Sequence, residues 1–333
     1  MWLHRNNDLP LWPGFGERGM DIKERRTLAR QHKVILDCDP GVDDALALML
    51  ALAAPDAVKI IGITTVAGNV PLEHTTRNAR GLLALADRLD IPVHAGCARP
   101  IMRTTGHRSV MHGGEGLGGV VLDPSAVPLG QAHAVDFIID QVMAHPGEIT
   151  LCPIGPMTNV ALAMIKEPRL SKNLREIVFM GGAAFCPGNT TAAAEFNIYV
   201  DPQAAHVVLS SGVKLTMIGL DVTRKALIDR DLLNALISAQ AEMPRLLGGM
   251  LASYSAGDPC LHDPCAIAWL INPMLFEGVD AFVEVDCGSG PNFGKTVAHI
   301  SDRHLAGRKP NCHVVTSVDN VEILQFLRNR LSL

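Results

Sequence analysis

The stretch KVILDCDPGVDDALALMLALAA, residues 33–54, decides the fold of this chain. Its first six residues form a short, mainly apolar run, which is typical of a buried strand. Pro40 and Gly41 then predict a turn. The apolar residues 42–54 predict a helix that stops before Pro55. A buried strand that leads through a tight turn into a helix is the first half of a βαβ unit.

The same alternation continues towards the C-terminus. Apolar runs predict further strands at 58–66, 148–153, 175–180 and 214–219. Helical spacing of apolar residues predicts helices at 71–90, 131–144, 157–166 and 202–211. The last third predicts helices near 229–256, 263–271 and 319–330, and strands at 279–287 and 294–300.

This pattern predicts an α/β fold with a mostly parallel, doubly wound, Rossmann-like central sheet flanked by helices. No linker or repeat interrupts the pattern, so we expect a single domain over residues 32–333. Ligands of such sheets bind beyond the carboxyl ends of the strands, and we expect the active site there.

Composition excludes several classes of protein. The hydrophobic fraction of 48% excludes intrinsic disorder. A net charge of −5 without a basic cluster argues against a nucleic-acid partner. The longest apolar run, residues 45–54, is about half of a membrane span, so no membrane association is expected. Eight cysteines without a C-x-x-C pair indicate reduced thiols and a cytoplasmic protein.

Residues 1–31 differ from the rest of the chain. They hold two of the three tryptophans and a charged stretch, and they lack the apolar segment of a secretory signal. We interpret them as a poorly packed N-terminal extension, a docking arm, or a misassigned start with Met20 as the initiator. The sequence leaves these three interpretations open.

An acidic cluster follows the first predicted strand. Asp37, Asp39, Asp43 and Asp44 place four carboxylates within eight residues. Helix capping explains one or two of them. Two carboxylates roughly 4 Å apart repel each other by about 4 kcal/mol at an effective dielectric constant of about 20, so a buried cluster needs a counter-charge. An all-oxygen set without a nearby histidine suits Ca²⁺ or Mg²⁺ better than zinc.

The motif D-x-D-P-G-x-D-D at the end of the first strand resembles the inosine–uridine-preferring nucleoside hydrolases. The resemblance continues, in the family's order, over roughly residues 33–330. Its further blocks are TTVAGN (64–69), HAGCARP (94–100), HGGEGLGG (112–119), PIGPMTN (153–159), MGGAAFCPGNTTAAAEFNIYVDPQAA (180–205) and HDPCAIAW (262–269). The resemblance implies hydrolysis of the N-glycosidic bond of ribonucleosides such as inosine or uridine, a role in nucleoside salvage, and a homotetramer or homodimer.

The resemblance also implies a role for individual residues. It implies Ca²⁺ ligands at Asp39, Asp44, the carbonyl of Ile154 and Asp263. It implies that Asp39 is the general base and that His262 protonates the leaving base. The substrate-binding residues that it implies are Asp43, Asn69, His112, Met180, Asn189, Glu195 and Asn197. For His112 and His262 a purely structural role stays open, because a lone histidine is often structural.

Two alternative functions remain at this point. Phosphohydrolases of the haloacid dehalogenase type also place D-x-D after the first strand, but they have Thr or Val where this chain has Gly41. A non-catalytic nucleoside- or ribose-binding protein on the same scaffold would have lost an aspartate or one of Asn189, Glu195 and Asn197, and none is lost. Preference for purine or pyrimidine bases stays open.

The G-x-G-x-x-G pattern at Gly114, Gly116 and Gly119 is not a dinucleotide-binding fingerprint. Such a fingerprint leaves a strand and opens a helix. Here no predicted strand precedes it, and Pro124 and Pro128 follow. We predict a flexible loop near the ligand pocket instead, which would bring His112 towards the base.

Overall fold

The strands in the described part of the chain join into one sheet. The structure is a computed structural model, and it describes residues 31–104, 109 and 111–333. Its strands are β1 His32–Cys38, β2 Val58–Thr65, β3 Val93–Ala95, β4 Ile149–Pro153, β5 Glu176–Met180, β6 Leu215–Ile218, β7 Phe276–Val285, β8 Thr296–His299 and β9 Cys312–Val318. The predicted N-terminal extension lies, up to residue 30, outside the described residues.

Helices connect most of these strands. They are α1 Val42–Leu52, α2 Leu72–Leu85, α3 Ala134–Ala144, α4 Thr158–Lys166, α5 Leu170–Asn173, α6 Phe196–Val200, α7 Pro202–Leu209, α8 Leu220–Thr223, α9 Arg230–Ile237, α10 Glu242–Tyr254, α11 Asp263–Ile271, α12 Asp302–Leu305 and α13 Asn320–Leu331. A short 3₁₀ helix covers Pro273–Leu275. Among the described residues, none of the helices has the length and apolar character that crossing a membrane requires.

The sheet has the order β3-β2-β1-β4-β5-β6-β9-β7-β8. In this order, adjacent strands from β3 to β9 run parallel to each other. Strand β7 pairs antiparallel with both β9 and β8. The first six strands have the doubly wound order, in which the direction of winding reverses between β1 and β4. The prediction of an α/β fold with a mostly parallel, doubly wound sheet is therefore confirmed. The chain segments that leave β1 and β4 border the crevice where such folds bind ligands.

The core lies on both faces of the sheet. Successive side chains of β1 point to opposite faces, so that Val34 and Leu36 pack in one apolar cluster and Ile35 in the other. All three are at most 1% exposed. Burial on both faces explains why the parallel strands are almost continuously apolar in sequence.

Several details of the sequence prediction were wrong. The helix expected at 229–256 is two helices, α9 and α10, because Pro244 lacks an N–H and is tolerated only in the first turn of a helix, here that of α10. The helix expected at 71–90 ends at Leu85, near Asp87 with its left-handed φ of 53°. Strand β3 and strand β9, which joins β6 to β7, were not predicted.

Asn159 ties three strand ends together beside the crevice. It lies in the first turn of α4 and is fully buried. Its Nδ2 donates hydrogen bonds to Asp37 Oδ1 at 2.8 Å and to the carbonyl of Thr65 at 3.0 Å. Its Oδ1 accepts the backbone N–H of Cys97 at 2.8 Å. One side chain therefore holds the ends of β1 and β2 and the segment after β3 in register.

We predict that Asn159→Ala lowers the free energy of unfolding by about 2–4 kcal/mol, because it leaves buried polar partners without hydrogen bonds. Urea unfolding followed by circular dichroism measures this change. The matched control is Asn329→Ala on α13, an exposed residue that accepts one hydrogen bond from Gln325. The control is expected within about 0.5 kcal/mol of the parent. Equal effects of the two substitutions would contradict this role of Asn159.

Candidate active site

Four buried carboxylates meet where β1 ends. Asp39 follows β1, Asp43 and Asp44 lie in the first turn of α1, and Asp263 is the first residue of α11. These four residues are 1–6% exposed. Carboxylate oxygens of Asp43, Asp44 and Asp263 all lie within 4.8 Å of one another. The structure thus brings together aspartates from two segments that are about 220 residues apart in sequence.

Two glycines form a narrow slot around the Asp39 carboxylate. A Cβ atom on Gly68 would lie 2.0 Å from Asp39 Oδ2, and one on Gly155 would lie 2.4 Å from Oδ1. Asn69 donates its backbone N–H to Asp39 Oδ2 at 2.6 Å. Both glycines are therefore required by the close approach of their backbone to this carboxylate.

Asp44 is held by backbone and side-chain donors at the start of α1. Its Oδ2 accepts the N–H of Gly41 at 2.8 Å and the side-chain amide of Asn69 at 3.3 Å. Its Oδ1 accepts the N–H of Asp39 at 3.3 Å. Asp44 therefore caps α1. It also contacts the backbone of Asp39, which fixes the distance between these two aspartates.

Burial and mutual repulsion disfavour the charged forms of the carboxylates in the cluster. Burial raises the pKa of Asp39 well above its usual range, and the charge of Asp44 raises it further. Burial, together with the charge of Asp43, likewise raises the pKa of Asp263 well above its usual range and that of Asp44 to about 7. Within the described ranges no Lys or Arg forms an ion pair with Asp39, Asp44 or Asp263.

Two oxygens of the cluster have no hydrogen-bond partner. Asp39 Oδ1 and Asp43 Oδ1 are buried and accept no hydrogen bond from the part of the chain that the structure describes. Buried carboxylate oxygens that lack both donors and a counter-charge are costly. A hard divalent cation held by the cluster supplies the missing counter-charge, so the residues present fit such an ion.

A cavity of about 280 Å³ adjoins the cluster. Ten of the twelve sequence-predicted site residues line it, whereas Asp39 and Asp44 lie outside its lining. The ten are Asp43, Asn69, His112, Ile154, Met180, Asn189, Glu195, Asn197, His262 and Asp263. Ser109, Met111, Thr190, Phe196, Tyr254, Gly257 and Asp258 complete the lining.

The segment after β5 supplies amide and carboxylate groups to this cavity. Asn197 donates its side-chain amide to the carbonyls of Ile154 at 2.9 Å and Met180 at 3.2 Å, which orients its Oδ1 as an acceptor. Asn189 uses its Oδ1 to accept the N–H of Phe196 at 3.0 Å, so its amide group is the donor. The two amides therefore offer one acceptor and one donor to a ligand in the cavity, and hydroxyl groups can pair with both.

Glu195 has a structural role as well as a place in the cavity wall. It caps α6, where its carboxylate accepts the backbone N–H groups of Asn197 at 2.9 Å and Ile198 at 3.1 Å. The N–H of Gly182, just beyond β5, also donates to it at 2.9 Å. Burial raises the pKa of Glu195 despite these three donors.

His262 lies between Asp258 and Thr223 in a chain of side-chain hydrogen bonds that the sequence did not reveal. Its Nε2 lies 3.1 Å from Asp258 Oδ2, and its Nδ1 lies 2.9 Å from Thr223 Oγ1. Burial disfavours the imidazolium, but the hydrogen bond and charge of Asp258 outweigh it, and the pKa of His262 rises. The sequence feature that could have identified Asp258 as a partner of His262 is its position four residues earlier in the chain.

His112 and Tyr254 form an aromatic wall of the cavity. Their rings stack with centroids 5.2 Å apart. Nδ1 of His112 accepts the N–H of Val42 at 3.1 Å, and burial lowers its pKa, so a neutral imidazole carries its proton on Nε2. The described part of the predicted glycine-rich loop, residues 112–119, has a buried anchor in Leu117 and contains no helix, so it is no dinucleotide-binding turn.

The chain is similar to proteins of known activity over most of its length. The model of the family described as "Inosine-uridine preferring nucleoside hydrolase" matches residues 34–325. The pyrimidine-specific ribonucleoside hydrolase RihB of Escherichia coli O157:H7 (strain EC4115 / EHEC) is 39% identical over 298 residues, which are 87% of this chain and 94% of that protein.

Solved structures show the same fold. The purine-preferring ribonucleoside hydrolase from Gardnerella vaginalis matches with a TM-score of 0.84 and 33% identity, over 90% of this chain and 98% of that one. The plant nucleoside hydrolase PpNRh1 matches with a TM-score of 0.84 and 31% identity, over 91% of this chain and 99% of that one.

Proposed function

This chain belongs to the inosine–uridine preferring nucleoside hydrolase family, and we propose that it cleaves ribonucleosides in the cavity beside its acidic cluster, with Ca²⁺ as cofactor. Family membership makes it a hydrolase that acts on N-glycosyl bonds. It is therefore neither a haloacid dehalogenase-type phosphohydrolase nor a mere binding protein. The observation that carries the proposal is a buried carboxylate cluster without a counter-charge, next to a cavity lined with amides.

Asp39, Asp44, the carbonyl of Ile154 and Asp263 would hold the Ca²⁺ ion. Carboxylates and backbone carbonyls are the donors that Ca²⁺ prefers. The carbonyl of Ile154 already accepts the amide of Asn197, and its second lone pair can serve the ion. When bound, the ion supplies positive charge that lowers the pKa of a neighbouring water and attracts ribose hydroxyls.

Asp39 is the proposed general base. Its Oδ2 is held by the N–H of Asn69, whereas its Oδ1 accepts no hydrogen bond from the described residues. The unpartnered oxygen can therefore take the proton of the water that attacks the anomeric carbon. The slot between Gly68 and Gly155 fixes the direction from which this carboxylate acts.

Five cavity residues are proposed to hold the ribose. Asn197 accepts a hydroxyl hydrogen through Oδ1 and Asn189 donates from its amide, as their other contacts require. Glu195 places a carboxylate near the sugar while positive charge resembling an oxocarbenium ion develops, which stabilises the transition state. Asp43 and Asn69 complete the set from the side of the acidic cluster.

His262 is the proposed acid for the leaving base. Asp258 orients the imidazole and favours its protonated form. The stacked His112 and Tyr254 supply an aromatic wall against which a base can pack. Named relatives include both a pyrimidine-specific and a purine-preferring enzyme, so we propose no preference between bases. We further propose a homodimer or homotetramer as the working assembly.

We predict that Asp39→Asn lowers kcat/KM at least about 10²-fold on every nucleoside that the parent cleaves, because the general base is lost. Release of free base from inosine, adenosine, guanosine, uridine and cytidine measures this. Asp231→Asn, an exposed aspartate of α9, is the control and should match the parent. A variant with intact circular dichroism and activity within tenfold of the parent would falsify the role of Asp39.

The acidic cluster predicts that the effect of Asp263→Asn on stability depends on the metal. In chelator, the variant should melt at or above the parent temperature, since one of several mutually repelling buried charges is gone. In excess Ca²⁺ the order should reverse, because ion binding stabilises the parent more than the variant. Thermal denaturation in both buffers measures this. A chelated parent that hydrolyses nucleosides at its full rate would show that the metal site is misassigned.

The proposed role of His262 predicts that its removal lowers kcat to different extents on two kinds of substrate. His262→Ala should lower kcat on inosine about 10²-fold, because the departing base needs a proton. It should change kcat on 4-nitrophenyl riboside less than tenfold, since nitrophenolate leaves without protonation. His206→Ala, at an exposed position of α7, is the control. Equal losses on both substrates would indicate a structural rather than an acid role.

A further inference from the structure

We propose that Asp258, Cys260 and His262 form a second metal site, separate from the acidic cluster, which takes a borderline-soft divalent cation such as Zn²⁺. The three residues lie at alternate positions of the segment that joins α10 to α11. Their donor atoms, a carboxylate oxygen, the thiol sulfur and an imidazole nitrogen, all lie within 4.8 Å of one another. The grouping is part of the fold, because a bridge between Leu227 and Cys260 fixes the backbone of the segment.

Two contacts already orient the ligands as a metal site requires. Ligating histidines usually donate their other ring N–H to a neighbouring acceptor, which fixes the tautomer. Nδ1 of His262 lies 2.9 Å from the hydroxyl of Thr223, so Nε2, which lies 3.1 Å from Asp258 Oδ2, is the nitrogen that faces the proposed ion. Asp258 Oδ1 accepts the N–H of Cys260 at 3.0 Å, so its Oδ2 points towards the same place.

The donor set distinguishes this site from the acidic cluster. Sulfur and nitrogen donors select zinc and its first-row neighbours, whereas the all-oxygen cluster suits Ca²⁺. Zinc–ligand distances of about 2.0–2.3 Å place tetrahedral donors roughly 3.3–3.8 Å apart, so small side-chain rotations suffice to close the triad. On binding, Cys260 Sγ and His262 Nε2 lose their protons to solvent, so the thiolate and the neutral imidazole coordinate the ion.

An ion can reach this site through the substrate cavity. Asp258 and His262 line that cavity, and the Asp258 side chain is 27% exposed. Three protein ligands leave a fourth position open to water. An ion there occupies Nε2 of His262, so the site would inhibit hydrolysis. This consequence rests on the proposed function, whereas binding of the ion does not.

Cobalt titration tests the site without reference to activity. The Ca²⁺-loaded full-length protein, reduced and free of oxygen, is titrated with Co²⁺ while absorption is recorded. We expect a thiolate-to-cobalt charge-transfer band that saturates at one equivalent. Cys260→Ala should abolish the band, and Cys265→Ala, which removes the neighbouring buried thiol on α11, should keep it. Absence of the band in the parent, or its persistence in Cys260→Ala, overturns the proposal.

Inhibition supplies the second measurement. With Ca²⁺ in excess, Zn²⁺ should inhibit the parent and Cys265→Ala alike, and a nitrogen-donor chelator that spares Ca²⁺ should restore the rate. Cys260→Ala should need at least tenfold more Zn²⁺ for half-inhibition. An unchanged half-inhibitory concentration overturns the regulatory role. If the parent cleaves no nucleoside, the proposed function fails, yet the cobalt band still decides whether the site exists.

Discussion

Mutual repulsion among buried carboxylates is the constraint on which the rest of this structure depends. Four aspartates meet at the exit of β1, each nearly inaccessible to solvent, and within the described residues no Lys or Arg forms an ion pair with them. Backbone donors and a bound cation both offset the cost of such a cluster. The neighbouring residues follow from this need. Gly41, Asn69 and the glycine slot place N–H groups and bare backbone against the carboxylates.

The sheet topology explains why these groups meet. Winding reverses between β1 and β4, so the segments that leave those strands diverge and open a crevice. Asp39 directly follows β1, and Ile154, with its carbonyl, directly follows β4. Asn197 then bridges Ile154 to Met180 at the end of β5, and it thereby couples the acidic cluster to the amides that face the cavity. The acidic cluster and the amides of the cavity are thus connected by hydrogen bonds to the backbone.

The sequence predicted those parts of the molecule that depend on local pattern. The apolar run, turn and helix of residues 33–54 predicted the first βα unit, and the aspartate spacing pointed to the acidic cluster. Strand β9 escaped prediction because CHVVTSV mixes three valines with polar residues, and its partly buried positions weaken the apolar signal. The partners of Asn159 and the contact of His262 with Thr223 were invisible, because both join residues distant in sequence. Hydrogen bonds of that kind are set by tertiary packing rather than by local pattern.

The position of β9 in the sheet also bears on how the protein is made. It is the last strand in the chain, yet it lies between β6 and β7, parallel to one and antiparallel to the other. During synthesis β7 and β8 leave the ribosome before the strand that joins them to the rest of the sheet. Until then β6 has an open edge, and unpaired edges of this kind invite aggregation. The sheet is completed only after β9 has emerged, so the edge of β6 stays open while the intervening segments are being translated.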